Sequence, residues 1–454
     1  MKVPVTPPAY EALFKKLTTS GARFNALILL IVKKIIGPVT GKGKYIHWDK
    51  LRHLQPPHQD LTPEEWWFAV KSARRAIYKA LPFTDKYGRA MTLATPDSVL
   101  QKLHTIDRKV GNPMPVLNSE LRNSYLIRSY IEEATTSSQL EGASTTRKVA
   151  KEMLQTGRSP RDKSEQMIFN NYRAMLFVQD IKDEAITISA ILELHRILTD
   201  KTLDDPKTAG QFRTDADDVH VWDNSDGTLL HTPPDSKELK ERLQKLCDFS
   251  NAMDEYDVFF IHPVVRAILL HFMLAYDHPF VDGNGRTARA LFYWSMARQG
   301  YALMGFISIS KILKEISGQY ARAFLHTETD ENDVTYFVLH QLDVILNAID
   351  ALYEYLDRKI RETDKDEKFF QKNTDIRDSL NYRQTALIRH ALKKPDTAYR
   401  IEIHRQSHDI TYQTARTDLL GLEALDLLKR KKSGRAFVFT VSGSLKNKME
   451  KAGF

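Results

Sequence analysis

A chain of 454 residues is too long for one compact core and predicts two or three domains. With 42% hydrophobic and 27% charged residues it can bury such cores, which excludes a disordered chain; its single cysteine, Cys247, excludes an intramolecular disulfide scaffold. The apolar run 26–32 is far shorter than the ~20 residues of a membrane-spanning helix, so we expect a cytoplasmic globular protein with no membrane partner.

The net charge of +8 is unevenly distributed along the chain. Residues 1–50 carry nine Lys and Arg against two Asp and Glu, and residues 371–454 carry 17 against 9, whereas the middle is acidic. Two basic ends predict an anionic partner for at least one of them. A basic face that is merely solvated accounts for the charge as well.

Apolar residues recur at three- and four-residue spacing, which predicts a mainly α-helical fold. Predicted helices cover residues 63–80, 121–135, 164–182, 188–198, 235–252, 264–276 and 349–361. Between them, residues 219–234 hold two short β-prone runs around a turn from Asn224 to Gly227, typical of a β-hairpin or of a plain surface loop. After a charge-dense run at 362–368, helices are predicted over 382–392, 401–407 and 411–425, then a basic turn and a strand over 436–441.

The segment HPFVDGNGRTAR, residues 278–289, carries the strongest functional signal. Pro279 cannot continue the apolar helix before it, so His278 is expected at a helix end. Gly283 and Gly285 permit a tight turn whose N–H groups point inward, at the start of the next predicted helix. Unpaired N–H groups and the helix dipole both favour an anion there, so the segment predicts a phosphate cradle.

The other side chains of this segment suit phosphoryl or nucleotidyl transfer. His278 has an unperturbed pKa near neutrality and can take a proton from an attacking hydroxyl. Asp282 offers a hard carboxylate oxygen for Mg²⁺. Arg286 and Arg289, three residues apart, are predicted to project from one helical face and to donate forked hydrogen bonds to phosphate oxygens.

The segment resembles the Fic family motif, HxFx(D/E)GNGRxxR, and matches it at every specified position. The resemblance implies a helical core that transfers a nucleotidyl group, usually AMP from ATP, onto a protein hydroxyl, with Mg²⁺ bound. The implied roles are base for His278, metal ligand for Asp282, and nucleotide phosphate contacts for Gly283, Asn284, Gly285, Arg286 and Arg289.

Other segments extend the resemblance. Residues 210–213, GQFR, and the predicted hairpin resemble the loop and flap that precede the family's active site, where the flap pairs with an extended target segment by strand addition. Trp66 and Trp67 resemble part of the N-terminal helical extension of many bacterial members, and we expect them to be core residues.

A second short pattern suggests inhibition. Ser137-x-x-x-Glu141-Gly142 resembles the family's inhibitory pattern, (S/T)xxxE(G/N). Ser137 and Glu141 share a helical face, and Gly142 is predicted to cap the helix. The resemblance implies that Glu141 pairs with Arg289 and keeps ATP in an unproductive pose, within the chain or across a homodimer.

We therefore predict a mainly α fold with four parts and a β-hairpin flap. They are an N-terminal helical region over 1–115, a Fic catalytic domain over 116–355 with an inhibitory helix at about 121–142, a linker over 356–375, and a winged helix-turn-helix over 376–454. The possible DNA contacts of the last part are Gln413, Arg416, Lys431 and Arg435. A protein-binding or dimer-forming winged helix is equally open.

The sequence thus predicts an autoinhibited protein AMP transferase that acts on a Ser, Thr or Tyr hydroxyl of a target protein or of the chain itself. Two alternatives stay open. One is a DNA-binding regulator whose Fic core senses nucleotide. The other is a Fic enzyme that mainly removes AMP or transfers another phosphate-containing group.

Overall fold

The computed structural model describes residues 2–58, 60–111, 119–223, 225–252, 260–408, 410–433 and 436–452. It divides into two compact units, Met1–Leu352 and Tyr353–Phe454. This division lies close to the predicted boundary at 355, and the predicted parts 1–115 and 116–355 fall almost entirely in the first unit. None of the helices formed by these residues is long and apolar enough to cross a bilayer.

The first unit begins with helices that pack around two tryptophans. They are α1 (Tyr10–Thr18), α2 (Gly21–Val32), α3 (Trp48–Leu51) and α4 (Pro63–Arg75). Trp66 and Trp67 are buried in the shared core, as predicted. The helix predicted over 63–80 ends at Arg75, because the chain continues into an antiparallel hairpin of β1 (Tyr78–Thr84) and β2 (Ala90–Ala94), in which Tyr78 pairs with Ala94.

The remainder of this unit is helical apart from a second hairpin, and its last helix continues past Leu352 into the second unit. Its elements are α5 (Asp97–Gly111), α6 (Ser119–Leu140), α7 (Arg147–Thr156), α8 (Lys163–Asp180), α9 (Ile188–Thr199), β3 (Val221–Trp222), β4 (Leu229–His231), α10 (Leu239–Asn251), α11 (Pro263–Asp277), α12 (Asn284–Arg298), α13 (Ile309–Glu315), α14 (Ser317–Thr329) and α15 (Thr335–Lys372). Helices α11 and α12 are buried on nearly every side, the pattern of central core helices. The turn between them therefore sits on a rigid support.

The predicted hairpin within 219–234 is present as β3 and β4, with Val221 opposite His231. The predicted turn residue Asn224 lies outside the described residues. The segment 356–375, predicted as a linker, is instead helical as far as Lys372. Its Glu and Lys residues are good helix formers, so a charge-dense run need not interrupt a helix.

The second unit adds helices and one hairpin: α16 (Thr374–Ser379), α17 (Tyr382–Lys393), α18 (Ile401–His408), α19 (Tyr412–Ala424), β5 (Leu428–Ser433), β6 (Ala436–Val441) and α20 (Gly443–Ala452). Its core includes Ile388, Leu419, Leu422 and Phe439. The basic stretch predicted as a turn is strand β5, because each of its residues pairs with β6. The three predicted helices and the predicted strand are present in the predicted order, α16 and α20 were not predicted, and the winged-helix assignment stays a prediction.

Candidate active site

His278 lies at the C-terminal end of α11, where it leaves the helix with φ +47°. Its backbone N–H still donates to the Leu274 carbonyl at 3.0 Å. Its Nδ1–H donates to the Ala275 carbonyl at 3.1 Å, which leaves the Nε2 lone pair as the proton acceptor. Burial lowers the pKa of His278 to about 4, so the imidazole is neutral at pH 7 and able to act as a base.

Arg213, from the GQFR segment, holds the backbone on both sides of this histidine. Its Nε donates to the His278 carbonyl at 2.8 Å, and its backbone N–H donates to the Pro279 carbonyl at 2.9 Å. Its Nη2 donates to the Pro234 carbonyl at 2.5 Å. The side chain is buried, so its position and that of the histidine are fixed together.

The turn between α11 and α12 is braced from within. Gly283 precedes α12 with φ +84°, and a Cβ built on it would lie 2.8 Å from the Thr199 methyl carbon, so only glycine fits. Asn284 is buried and pairs with both backbone groups of Phe280: it accepts from the N–H at 2.9 Å and donates to the carbonyl at 2.8 Å. In this structure Asn284 supports the turn; its predicted phosphate contact stays a prediction.

His195, which sequence reasoning missed, supports the same turn from α9. Its Nε2–H donates to the Asp282 carbonyl at 2.8 Å, its Nδ1 accepts the Gly210 N–H at 2.9 Å, and its ring stacks on Phe280 at 3.8 Å. Burial lowers the pKa of His195 to about 4, in keeping with a neutral ring. Its partner carbonyl is 87 positions away in sequence, so no local pattern signals this role.

Asp282 is suited to a metal that is shared with a phosphate ligand. Its side chain is 52% exposed beside the turn, and Oδ2 accepts from Arg286 at 3.3 Å. The described residues hold no cluster of three or more carboxylate, histidine or cysteine side chains that could enclose a metal. A single accessible carboxylate next to a helix N-terminus fits Mg²⁺, which commonly uses one or two carboxylates together with substrate phosphates.

The two motif arginines, three residues apart on α12, have different hydrogen-bond partners, and their predicted phosphate contacts stay predictions. Arg286 is buried and donates to the Leu198 carbonyl at 3.1 Å as well as to Asp282, because at this position α12 packs against the end of α9. Arg289 faces α6 instead. Its predicted partner Glu141 lies there, so Arg289 rather than Arg286 belongs to the open side of the site.

Ser137 and Glu141 hold Arg289 as the inhibitory pattern predicts. Arg289 donates from Nη2 to Glu141 Oε1 at 2.8 Å and from Nε to Ser137 Oγ at 2.8 Å. Burial alone would lower the pKa of Arg289, but Glu141, Tyr320 and Glu133 together outweigh it and the pKa is raised. Gly142 ends the helix with φ +93°, and its N–H donates to the Gln139 carbonyl, so the predicted cap is present.

Glu141 also crowds the glycine turn. A Cβ built on Gly285 would collide with Oε1 of Glu141. The carboxylate therefore stands at the N-terminal end of α12, where the helix dipole and the unpaired N–H groups favour an anion. All of these contacts lie within one chain.

A cavity of about 220 Å³ joins these groups. Its wall includes His278, Gly285, Arg289, Glu141, Tyr320 and His231. Apolar side chains from the hairpin and α14 complete it, among them Val221, Leu230 and Phe324. His278, the glycine turn and Arg289 thus line the same cavity.

Residues 185–296 match the model of the Fic/DOC family, and this match contains the whole turn between α11 and α12. The chain contains a Fic domain. The family resemblance drawn from residues 278–289 is confirmed.

Curated relatives agree. A protein adenylyltransferase Fic of Nematostella vectensis is 36% identical over 120 residues, which are 26% of this chain and 25% of that protein. The corresponding Drosophila willistoni protein is 40% identical over 116 residues, 26% of this chain and 20% of its own length. Protein adenylyltransferase fic-1 of Caenorhabditis elegans is 28% identical over 246 residues, 50% of this chain and 45% of that protein. The chain thus spans less than half the length of these relatives.

The solved structure of a Fic family protein from Desulfovibrio desulfuricans has a similar fold. Its TM-score is 0.50 at 17% identity, and the match covers 80% of this chain and 99% of that chain. The mainly helical fold with its small hairpins is therefore that of Fic proteins, as predicted.

The Fic domain carries its hairpin beside the cavity. Val221, Leu230 and His231 line the cavity, whereas Trp222 and Leu229 are 51% and 42% exposed on the outer side. An exposed hairpin edge with apolar side chains is able to pair with an extended segment.

Outside the Fic domain, the residues predicted to contact DNA lie on α19 and β5. Gln413 and Arg416 are exposed near the start of α19, which Thr411 caps. Lys431 is exposed on β5. Arg435 lies outside the described residues.

Proposed function

We propose that this chain transfers AMP from ATP to a Ser, Thr or Tyr hydroxyl of a protein target. The observation that carries the proposal is that a neutral His278, the turn at Gly285 and the buried Arg289 line one cavity. In such a site the protein supplies position, a proton acceptor and fixed positive charge, which are what nucleotidyl transfer needs.

The triphosphate of ATP would bind at the N-terminal end of α12. The backbone N–H groups of the turn and Arg289 would contact phosphate oxygens. Tyr320 and Phe324 offer an aromatic wall for the adenine ring. Asp282 would hold Mg²⁺, which when bound would offset phosphate charge.

The reaction that we propose is an in-line displacement. The target hydroxyl oxygen attacks the α-phosphorus of ATP, and a new O–P bond forms as the bond to pyrophosphate breaks. The hydroxyl proton passes to Nε2 of His278, and pyrophosphate leaves.

Glu141 is the proposed brake on this reaction. While it pairs with Arg289, that guanidinium is not available to the terminal phosphate, and the carboxylate repels phosphate charge at the glycine turn. ATP would then bind in a pose that keeps its α-phosphorus away from the attacking oxygen.

Incorporation from labelled ATP tests the activity and the brake together. We expect Glu141→Gly to raise incorporation from α-³²P-ATP into protein, including into the chain itself, and to give no incorporation from γ-³²P-ATP. Adding His278→Ala should lower the rate about 10²- to 10⁴-fold. Glu184→Gly, at an exposed turn glutamate, is the matched control and should behave like the parent. Label from the γ position would instead indicate phosphate transfer.

An enzyme that mainly removes AMP would respond differently. Glu141 would then activate a water molecule for attack on the AMP–protein bond, so Glu141→Gly would lose activity on a pre-modified target rather than gain incorporation.

The second candidate function is a DNA-binding regulator in which the Fic domain senses nucleotide. It is favoured by the run of exposed basic residues from Lys429 to Lys432 on β5, beside the exposed start of α19. Strand cations suit phosphates, and residues such as Gln413 and Arg416 suit base edges.

Fluorescence anisotropy with a labelled DNA duplex, over a salt series, tests this candidate. We expect affinity to fall steeply with salt, and Lys431→Glu to weaken binding and to reduce the salt slope by about 1. Lys163→Glu, at an exposed lysine of the first unit, is the control. Absence of binding at low salt would contradict DNA binding and favour a protein-docking role.

A further inference from the structure

His231, the last residue of the flap strand β4, joins three parts of the Fic domain. Its Nε2 lies 2.7 Å from the Tyr276 carbonyl, in the last turn of α11. Its Nδ1 lies 2.8 Å from Oε2 of Glu328, on α14. The ring also packs against Tyr276 at 4.7 Å.

The direction of the first of these hydrogen bonds follows from which of its two atoms can carry a proton. A carbonyl oxygen can only accept, so Nε2 of His231 must carry a proton and donate it to Tyr276. The second nitrogen shares a proton with the Glu328 carboxyl group. Both ring nitrogens are therefore engaged, and His231 is 9% exposed, so the ring has little freedom to reorient.

The flap is fastened a second time three residues later. The Pro234 carbonyl accepts from Arg213, and the same guanidinium donates to the His278 carbonyl. Residues 231–234 are thus tied to 276–279 at both ends. Residues 276–279 contain the proposed base, so the same hydrogen bonds hold the C-terminal end of the flap and the backbone of His278.

We propose that His231 is a positioning residue: its paired bonds to Tyr276 and Glu328 hold the flap at a fixed distance from His278, so that a target segment on the flap presents its hydroxyl to Nε2. The inference rests on the proposed function, since it assigns the flap a target to present. It adds a residue outside the 278–289 motif to the determinants of acceptor choice.

The expected consequence is a change in selectivity between acceptors. In the Glu141→Gly background, His231→Ala should lower the ratio of target modification to AMP released into water by about tenfold or more, since small misplacements of a reacting group are costly. Water needs no flap to reach the site. His231→Gln should partly restore the ratio, because its amide can still donate to the Tyr276 carbonyl.

Amide hydrogen exchange gives a second readout that needs no turnover. We expect His231→Ala to speed exchange across residues 219–230. His220→Ala should leave exchange there at the parental rate, since His220 forms its hydrogen bond with the exposed Asp218 on the same loop and not with α11. For the acceptor ratio the control is His104→Ala, at an exposed residue of α5.

The two readouts separate this inference from the proposed function. Faster flap exchange together with a lowered acceptor ratio supports the inference. Exchange equal to that of His220→Ala, or an acceptor ratio equal to that of His104→Ala, overturns it. If every variant fails to transfer AMP, the proposed function fails. Even then, flap exchange at the parental rate in His231→Ala would refute the positioning role of His231 on its own.

Discussion

His278 is a buried imidazole with one hydrogen already committed. Because Nδ1–H is held by the Ala275 carbonyl, a proton can be taken only at Nε2, and the residue lines the cavity shared with Gly285 and Arg289. Because burial also lowers its pKa, the imidazole is almost entirely neutral near pH 7. This state is the one that the proposed role of His278 as a base requires.

This state has a measurable pH signature. Since burial lowers the pKa of His278 to about 4, the base stays unprotonated until well below its ordinary value of 6.5. Glu141 acts to raise this pKa, so its removal shifts the acid limb further down. We expect the rate of AMP transfer by Glu141→Gly to hold from pH 7 to about pH 5 in a kcat/KM profile. A loss with its midpoint near 6.5 would contradict a buried base.

Among the helices, α6 carries Ser137 and ends directly before Glu141, so the proposed brake would depend on how α6 is attached to its neighbours. Glu133, eight residues before Glu141, is buried and accepts from Tyr293 at 2.8 Å, from Ser308 Oγ at 2.7 Å and from the Ser310 N–H at 3.1 Å. One carboxylate thereby joins α6 to α12 and to the start of α13. Ser137 and Glu141 supply the contact with Arg289 that we propose to be inhibitory, and Glu133 attaches the helix that leads to them.

Removing that anchor should loosen the brake. Glu133→Ala removes the acceptor of the buried Ser310 N–H and hydroxyl, so we expect it to lower the free energy of unfolding by about 2 kcal/mol or more. We also expect incorporation of AMP to rise above that of the parent but below that of Glu141→Gly.

Thermal unfolding and label incorporation check the two effects. Glu132→Ala, next to it on α6 but paired at the surface with Arg147, is the control. A destabilised Glu133→Ala protein that remains as silent as the parent would show that the brake does not need this anchor.

The sequence predicts those parts of the candidate site that are contiguous in the chain. The turn from His278 to Arg289 and the pair of Ser137 with Glu141 could be predicted because local spacing specifies both. His195, His231 and Glu133 could not, since each acts through partners far away in sequence and looks like an ordinary helix or strand residue. The contact of Arg286 with the Leu198 carbonyl at the end of α9 could not be predicted either, since it joins residues far apart in sequence.

For the whole molecule, the same distinction explains the errors in the fold. The hairpin β1–β2 was missed because its strands are specified by pairing with each other and by a bridge from Thr92 to Asp333, not by a local period. Helix α15 continues through a charged run that resembles a linker in composition alone. Helices α9, α11 and α19 were predicted to within a few residues from their apolar spacing, whereas the prediction 349–361 covers only the middle of α15.

We propose that the turn before α12 holds a triphosphate while His278 accepts the proton of the attacking oxygen, and that Glu141 prevents this. Intact-mass spectrometry after incubation with Mg·ATP tests the proposal on the parent, Glu141→Gly and Glu141→Gly with His278→Ala. We expect a gain of one or more adenylyl groups in Glu141→Gly and an unchanged mass in the other two. An unmodified Glu141→Gly protein that also modifies no added protein, or equal labelling of the variant without His278, would contradict it.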